Sequence, residues 1–268
     1  MILCTVSHTE CFALKAYFKI PLSARYSNPD KYMQIEKYYQ KNGSNLSFTR
    51  QQASDFAKKV AGDFNPIHDP DSKRFCVPGD LLFSVIIHEY GIRQNMTFNF
   101  SGMVNDGTSL ILPVCDSEHL AIVDEKGKKY MAIECSGEVS RDKVLTESLS
   151  RHYVEFSSQA FPHILVPLMS EQNVMINPDR PLIIYESMSF HLDRLDVEHV
   201  ELKLTGNSLQ VNGKRGDVTL DYTLFGDGEN IGRGCKRMVL SGLRPFDKTR
   251  MDEVVAMYDK VKQNFIAA

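Results

Sequence analysis

The chain has 268 residues, with 31 Lys and Arg against 34 Asp and Glu and 43% hydrophobic residues, enough for one large domain or two small ones with a core. A net charge of −3 without a basic run or Arg-rich face excludes nucleic acid as the expected partner. No apolar stretch is long enough to span a membrane, and the six cysteines, at 4, 11, 76, 115, 135 and 235, form no C-x-x-C pair, which points to reduced thiols in a cytoplasmic protein without a metal site.

Residues 1–32 lack the basic start and clean apolar centre of a secretory signal and are expected to be a peripheral extension. Leu46-Ser47-Phe48 is a first candidate strand. A short amphipathic helix follows. Ala53, Phe56, Ala57 and Val60 recur at i, i+3, i+4 and i+7, Thr49 with Gln52 fits a capping box, and Gly62 stands where a left-handed residue ends a helix. Pro66 then forbids helix and pushes Asn65 out of the α region. Asp63, Asn65 and His68 are therefore confined to one tight loop. A carboxylate beside an imidazole can fix its tautomer, so Asp63 and His68 are a candidate acid–base pair. On residue type alone, Asp and Asn before Pro are also ordinary turn formers.

The connector 69–77 is polar, and its Lys73 and Arg74 could meet a nucleotide phosphate or simply be solvated. Pro78-Gly79-Asp80 opens a second helix whose Leu81, Leu82, Val85, Ile86 and Tyr90 make an apolar stripe widened by Phe83 and Ile87, as in a central helix; His88 is read as a packed or rim histidine rather than a catalytic one. Strands are expected at 96–100, 108–114, 119–124 and 129–139, with a turn at Glu125-Lys126-Gly127. The pattern then recurs: a helix over 154–169, interrupted by Pro162 and Pro167, and strands at 182–192, 200–209, 218–225 and 231–240. Asn212-Gly213 is expected to make a two-residue hairpin, and Gly226-Asp227-Gly228 the next turn. Met251, Val254, Val255, Tyr258, Val261 and Phe265 form a C-terminal amphipathic helix with Asp247 placed to cap it. Helix plus four antiparallel strands, twice, is an α+β pattern.

The string Phe56, Gly62, Asp63, Asn65, Pro66, Ile67 and His68 resembles the hydratase signature of the MaoC-like, (R)-specific enoyl-CoA hydratases, and the chain is similar to a bacterial branch of that family. The resemblance covers about residues 49–90. It implies a double hot dog, each half a curved antiparallel sheet wrapped around a central helix, the halves packing as a pseudo-dimer within one chain, with a homodimer of chains also open. Residues 45–145 would be the half carrying the motif and 146–268 the half lacking it, with one active site at their junction. The activity implied is hydration of a trans-2-enoyl thioester, or the reverse dehydration, on acyl-CoA or acyl carrier protein, without cofactor or metal. Asp63 and His68 would be catalytic, and Asn65 would orient them or the thioester. Backbone N–H groups at a helix N-terminus would hold the enolate oxygen.

The chain departs from the family there. The usual P-I-x-H-G segment is absent, and Pro78-Gly79-Asp80 stands in its place. Gly79 can still allow a close backbone approach. Asp80 is either a helix cap or an anion that opposes the enolate. Two alternatives therefore stand beside the hydratase: a non-catalytic hot-dog protein binding acyl thioesters or a partner, and a thioesterase, for which only Glu89, near the far end of the central helix, offers a carboxylate.

Overall fold

The structure, a computed structural model, describes residues 33–114 and 117–267. The expectation for residues 1–32 lies outside them. After a 3-10 turn at Ile35–Tyr38 come the short strands β1 (Gln40–Asn42) and β2 (Asn45–Ser47), then α1 (Arg50–Asp55). The capping box is present: Thr49 N–H donates to Gln52 Oε1 at 3.1 Å and Gln52 N–H to Thr49 Oγ1 at 3.1 Å. The helix does not continue as α. Phe56–Ala61 is one π-helical stretch, closed by Gly62 at φ 70° with its N–H on Ala57 O. The wide turn shifts the inward face by one residue, so Ala61 is buried where the α period selects Val60, which is only half-buried.

The central helix α2 (Gly79–Tyr90) is buried from Asp80 through Ile87. Around it run β3 (Ile92–Phe100), β4 (Leu110–Ile111), β5 (His119–Asp124) and β6 (Lys129–Ser140). The second set is α3 (Lys143–Ser158), α4 (Leu165–Glu171), β7 (Val174–Met175), β8 (Ile183–Leu192), β9 (Val200–Asn212), β10 (Arg215–Gly226), β11 (Glu229–Ser241), β12 (Arg244–Pro245) and α5 (Lys248–Ala267). Ten strands form one antiparallel sheet in the order β1-β2-β4-β5-β6-β3-β8-β11-β10-β9. The β3–β8 ladder, Asn95 opposite His191 through Asn99 opposite Ser187, makes the two sheets continuous. Each half thus wraps a helix, α2 or α3, in a curved sheet: the fold is α+β, a double hot dog.

Three expectations shift. The helix expected from 154 begins at Lys143, because Asp142 accepts from the Val144 and Leu145 N–H groups at 2.8 and 3.0 Å. Its Thr146, Ser148, Ser150 and Ser157 are buried polar residues that mask the apolar period in the sequence. The 108–114 run contributes only the two residues of β4. The hairpin turn sits one residue later than Asn212-Gly213, since Asn212 pairs with Arg215 and leaves Gly213 and Lys214 to turn. Asp227 and Gly228, both with positive φ, make the next turn as expected.

The two central helices cross at small residues. Ser150 Oγ donates to Ser84 Oγ at 2.8 Å, and Phe83 meets Phe98 and Tyr153 edge-on at 5.2 and 4.7 Å. Ser84 is 1% exposed, so the crossing has no room for a larger side chain. Ser84→Leu is expected to destabilise the protein by about 1–3 kcal/mol, read as a lower denaturation midpoint at unchanged slope.

Candidate active site

The loop 62–77 is built by its own hydrogen bonds. Gly62 reverses the chain after the π turn, and Asp63 Oδ1 accepts the Asn65 N–H at 2.9 Å. Asn65 Oδ1 in turn accepts from Ile67 N at 3.2 Å, capping a 3-10 turn at Pro66–His68. Asn65 therefore positions the loop through its backbone contacts. Cys76 N–H donates to Ile67 O at 3.1 Å, closing the connector onto the turn. Arg50 ties the connector down: it donates to Pro70 O and Ser72 O at 2.9 and 3.0 Å, pairs with Asp106 at 3.1 Å and lies 5.0 Å over the Phe75 ring. Lys58 pairs with Asp69 at 2.6 Å. Lys73 and Arg74 are exposed. The C-terminal helix reaches the same loop: Phe64 N–H donates to Tyr258 Oη at 3.3 Å, and Phe64 packs on Tyr258 and Phe265. Burial, with Asp63 adding to it, pushes the Tyr258 phenol up to about 12, so it stays a neutral hydroxyl there.

The structure brings Asp63 and His68 together. His68 Nδ1 lies 2.7 Å from the Cys76 carbonyl. A carbonyl only accepts, so Nδ1 carries the proton, and in the neutral ring Nε2 keeps its lone pair. Nε2 faces Asp63 Oδ2 at 3.6 Å, past hydrogen-bond range, with side chains 12% and 28% exposed. Two acceptors thus lie side by side, partly open to solvent.

Gly79 and Asp80 begin α2, and the cap reading of Asp80 is corrected. Pro78 is the capping position, its carbonyl accepting from Leu81 and Leu82, and no side chain caps the helix. The Asp80 carboxylate turns instead toward the second half. Its Oδ2 accepts from Ser157 Oγ at 2.6 Å, and Oδ1 has no hydrogen-bond partner among the described residues. Lys236, on β11, donates to Ser157 Oγ and places Nζ 3.9 Å from Asp80 Oδ1 and 4.0 Å from the Tyr185 ring centroid. Both Asp80 and Lys236 are buried. Burial pushes the Asp80 carboxyl up and the Lys236 ammonium down, and each is the largest compensating influence on the other. Tyr185 and Tyr153 share a hydrogen bond beside this cluster, and burial raises both phenols well above their ordinary value. Sequence reasoning missed Lys236, Ser157 and Tyr185. The one available signal was Lys236 itself, a lysine in a strand whose neighbours alternate toward the core.

The N–H groups of Gly79 and Asp80 have no acceptor among the described residues. The space around Gly79 is filled by an aromatic wall: a Cβ there would lie 2.7 Å from Tyr185 Cδ1 and 3.4 Å from Phe100, and those two rings stack at 4.4 Å. Glycine is required by this close approach. Glu89 is engaged elsewhere, accepting from Tyr39 Oη at 2.9 Å and Lys41 Nζ at 2.5 Å, and His88 pairs with Glu36 on the rim at 3.2 Å. Among the described residues no helix is long and apolar enough to cross a membrane, and no group of His, Cys, Asp and Glu could hold a metal. Gly79→Ala should displace the Tyr185 ring and cost about 1–3 kcal/mol, seen as a lower denaturation midpoint together with altered tyrosine near-ultraviolet circular dichroism.

The family described as "Protein of unknown function (DUF3581)" matches residues 33–249. No curated protein matches the chain. Among solved structures, the chain is similar to an acyl-CoA thioesterase II, TesB2, from Mycobacterium marinum, at 9% identity over 81% of this chain and 99% of that one with a TM-score of 0.40. It is similar to a conserved hot dog protein of unknown function from Alicyclobacillus acidocaldarius, at 8% identity over 80% and 99% with a TM-score of 0.41. It is also similar to a MaoC-like dehydratase, at 9% identity over 76% and 98% with a TM-score of 0.39. With 33–249 matched, the chain belongs to the DUF3581 family.

Proposed function

We propose that the protein adds water to, or removes it from, an acyl thioester: a trans-2-enoyl-CoA, or its acyl-carrier-protein equivalent, interconverts with the 3-hydroxyacyl thioester at the Asp63–His68 loop. The observation that carries the reading is the commitment of His68 Nδ1 to the Cys76 carbonyl, which leaves Nε2 as a free base beside the Asp63 carboxylate. A water resting against two acceptors donates one hydrogen to each and turns its lone pair outward. In hydration that oxygen bonds to Cβ while one proton passes to His68 Nε2. The electron pair of the C=C bond moves to the thioester oxygen as an enolate; as the enolate collapses, the proton held on His68 Nε2 passes to Cα, which completes the 3-hydroxyacyl product and restores the neutral imidazole. Dehydration is the reverse. Asp63, fixed through Oδ1 by the Asn65 N–H, accepts a hydrogen bond from the other hydrogen, which stays on the oxygen as the product hydroxyl, and stabilises the imidazolium. The unpaired N–H groups of Gly79 and Asp80, at the positive end of α2, are the donors available to the enolate oxygen.

A second reading, a hot-dog protein that binds an acyl thioester or a partner without turning it over, is favoured by one observation. The Tyr185 and Phe100 rings close over Gly79, where the oxyanion donors stand.

The hydratase reading expects Asp63→Asn and His68→Ala each to lower turnover by about 10²-fold or more, and the double variant to be scarcely worse than either, as groups that act as a unit behave. The measurement is loss of enoyl absorbance across trans-2-enoyl-CoA substrates of increasing chain length. A wild-type protein that binds acyl-CoA and turns over none of them, in either direction, supports the binding reading instead. A double variant that loses the product of the two single losses separates the residues into independent roles.

A further inference from the structure

We infer that Lys236 is a positioning residue for the enolate side of this reaction: contributed by the half that lacks the motif, it neutralises the Asp80 carboxylate through Ser157 so that the α2 N-terminus can accept negative charge. The inference rests on the hydratase reading of the Asp63–His68 loop.

A bare carboxylate in the first turn of α2 would repel an enolate oxygen approaching the Gly79 and Asp80 N–H groups. Asp80 is 8% exposed, so water does not screen it. Its Oδ2 is held by Ser157 at 2.6 Å, and its Oδ1, without a hydrogen bond among the described residues, faces the Lys236 ammonium at 3.9 Å. Lys236 is 4% exposed and is oriented by the Ser157 hydroxyl on one side and the Tyr185 ring on the other. The groups acting on this pair come from every element around it: Asp63 and His68 from the loop, Tyr153 and Ser157 from α3, Tyr185 from β8 and Tyr222 from β10. The tyrosines are neutral, and Lys236, with Nζ 3.9 Å from Oδ1, is the ammonium group set against Asp80. Stability is weak ground for keeping the arrangement, since a buried ion pair can often be replaced as a whole by apolar residues without loss. Charge balance beside a site that develops an anion does account for it. It also removes the conflict that Asp80 posed at the head of the helix.

The test separates charge from packing. Lys236→Met, and Lys236→Gln, which keeps a hydrogen bond to Ser157 but no charge, should each lower kcat by about 10²-fold with KM changed only a few-fold. Their residual turnover should fall as pH rises through the Asp80 ionisation, because only the protonated carboxyl lacks the opposing charge. In Lys236→Met/Asp80→Asn, turnover should recover most of the loss and the pH limb should vanish. Wild-type turnover in Lys236→Gln, or a double variant no better than Lys236→Met, would make Lys236 a packing residue and overturn the inference. A readout that needs no activity is the carbon-13 resonance of the Asp80 carboxyl, whose titration midpoint should move to higher pH in Lys236→Gln. An unmoved midpoint overturns the inference; a moved midpoint with an inactive wild type supports the charge coupling and counts against the hydratase reading alone.

Discussion

His68 can offer a lone pair at Nε2 only because its other nitrogen is committed to the Cys76 carbonyl. Everything around the loop keeps that carbonyl in place. Cys76 N–H is bound back to Ile67 O, and Arg50 grips the intervening connector at two carbonyls and at Asp106. Upstream, the π turn and the left-handed Gly62 set the angle at which Asp63 leaves the helix. A π turn inside a helix carries a cost in hydrogen-bond geometry and recurs at functional sites. Here Gly62 closes it in the left-handed conformation, and the next residue, Asp63, places Oδ2 3.6 Å from His68 Nε2. The Tyr258 hydroxyl on α5 then fixes the next residue, Phe64, from the opposite end of the chain.

The half without the motif is more than a scaffold in this account. The β3–β8 ladder fuses the sheets, and the serine contact between α2 and α3 lets the two central helices approach closely. From that half, Ser157 on α3 and Lys236 on β11 reach the first turn of α2. The buried Asp80–Ser157–Lys236 bridge therefore depends on both halves being in register. Leaving one partner of such a pair buried alone costs about 3–5 kcal/mol, which ties the conformation of the α2 N-terminus to the integrity of the junction.

Much of this was legible in the sequence, for local reasons. The capping box at Thr49, the left-handed Gly62 and the turn forced by Pro66 are read from near neighbours, and they place Asp63, Asn65 and His68 on one loop. Strands with period two, such as those around Val218 and Val200, declare themselves the same way. What could not be read depends on distant contacts. The π turn moves the buried position from Val60 to Ala61, which the α period does not anticipate. α3 extends back to Lys143, capped by Asp142, but its Thr146, Ser148, Ser150 and Ser157 are buried, and a hydrophobic count reads them as surface. Asp80 looks like a cap from its position alone; its true partners, Ser157 and Lys236, are 77 and 156 positions further along the chain.

The claim that water is added across a carbon–carbon double bond, rather than to the thioester carbonyl, has a direct test. Purified protein is incubated with trans-2-butenoyl-CoA in oxygen-18 water, and the products are analysed by mass spectrometry. The account predicts intact 3-hydroxybutanoyl-CoA carrying the label on its hydroxyl, lost in Asp63→Asn/His68→Ala. Free butenoic acid carrying the label in its carboxyl would mean thioester hydrolysis and would contradict it.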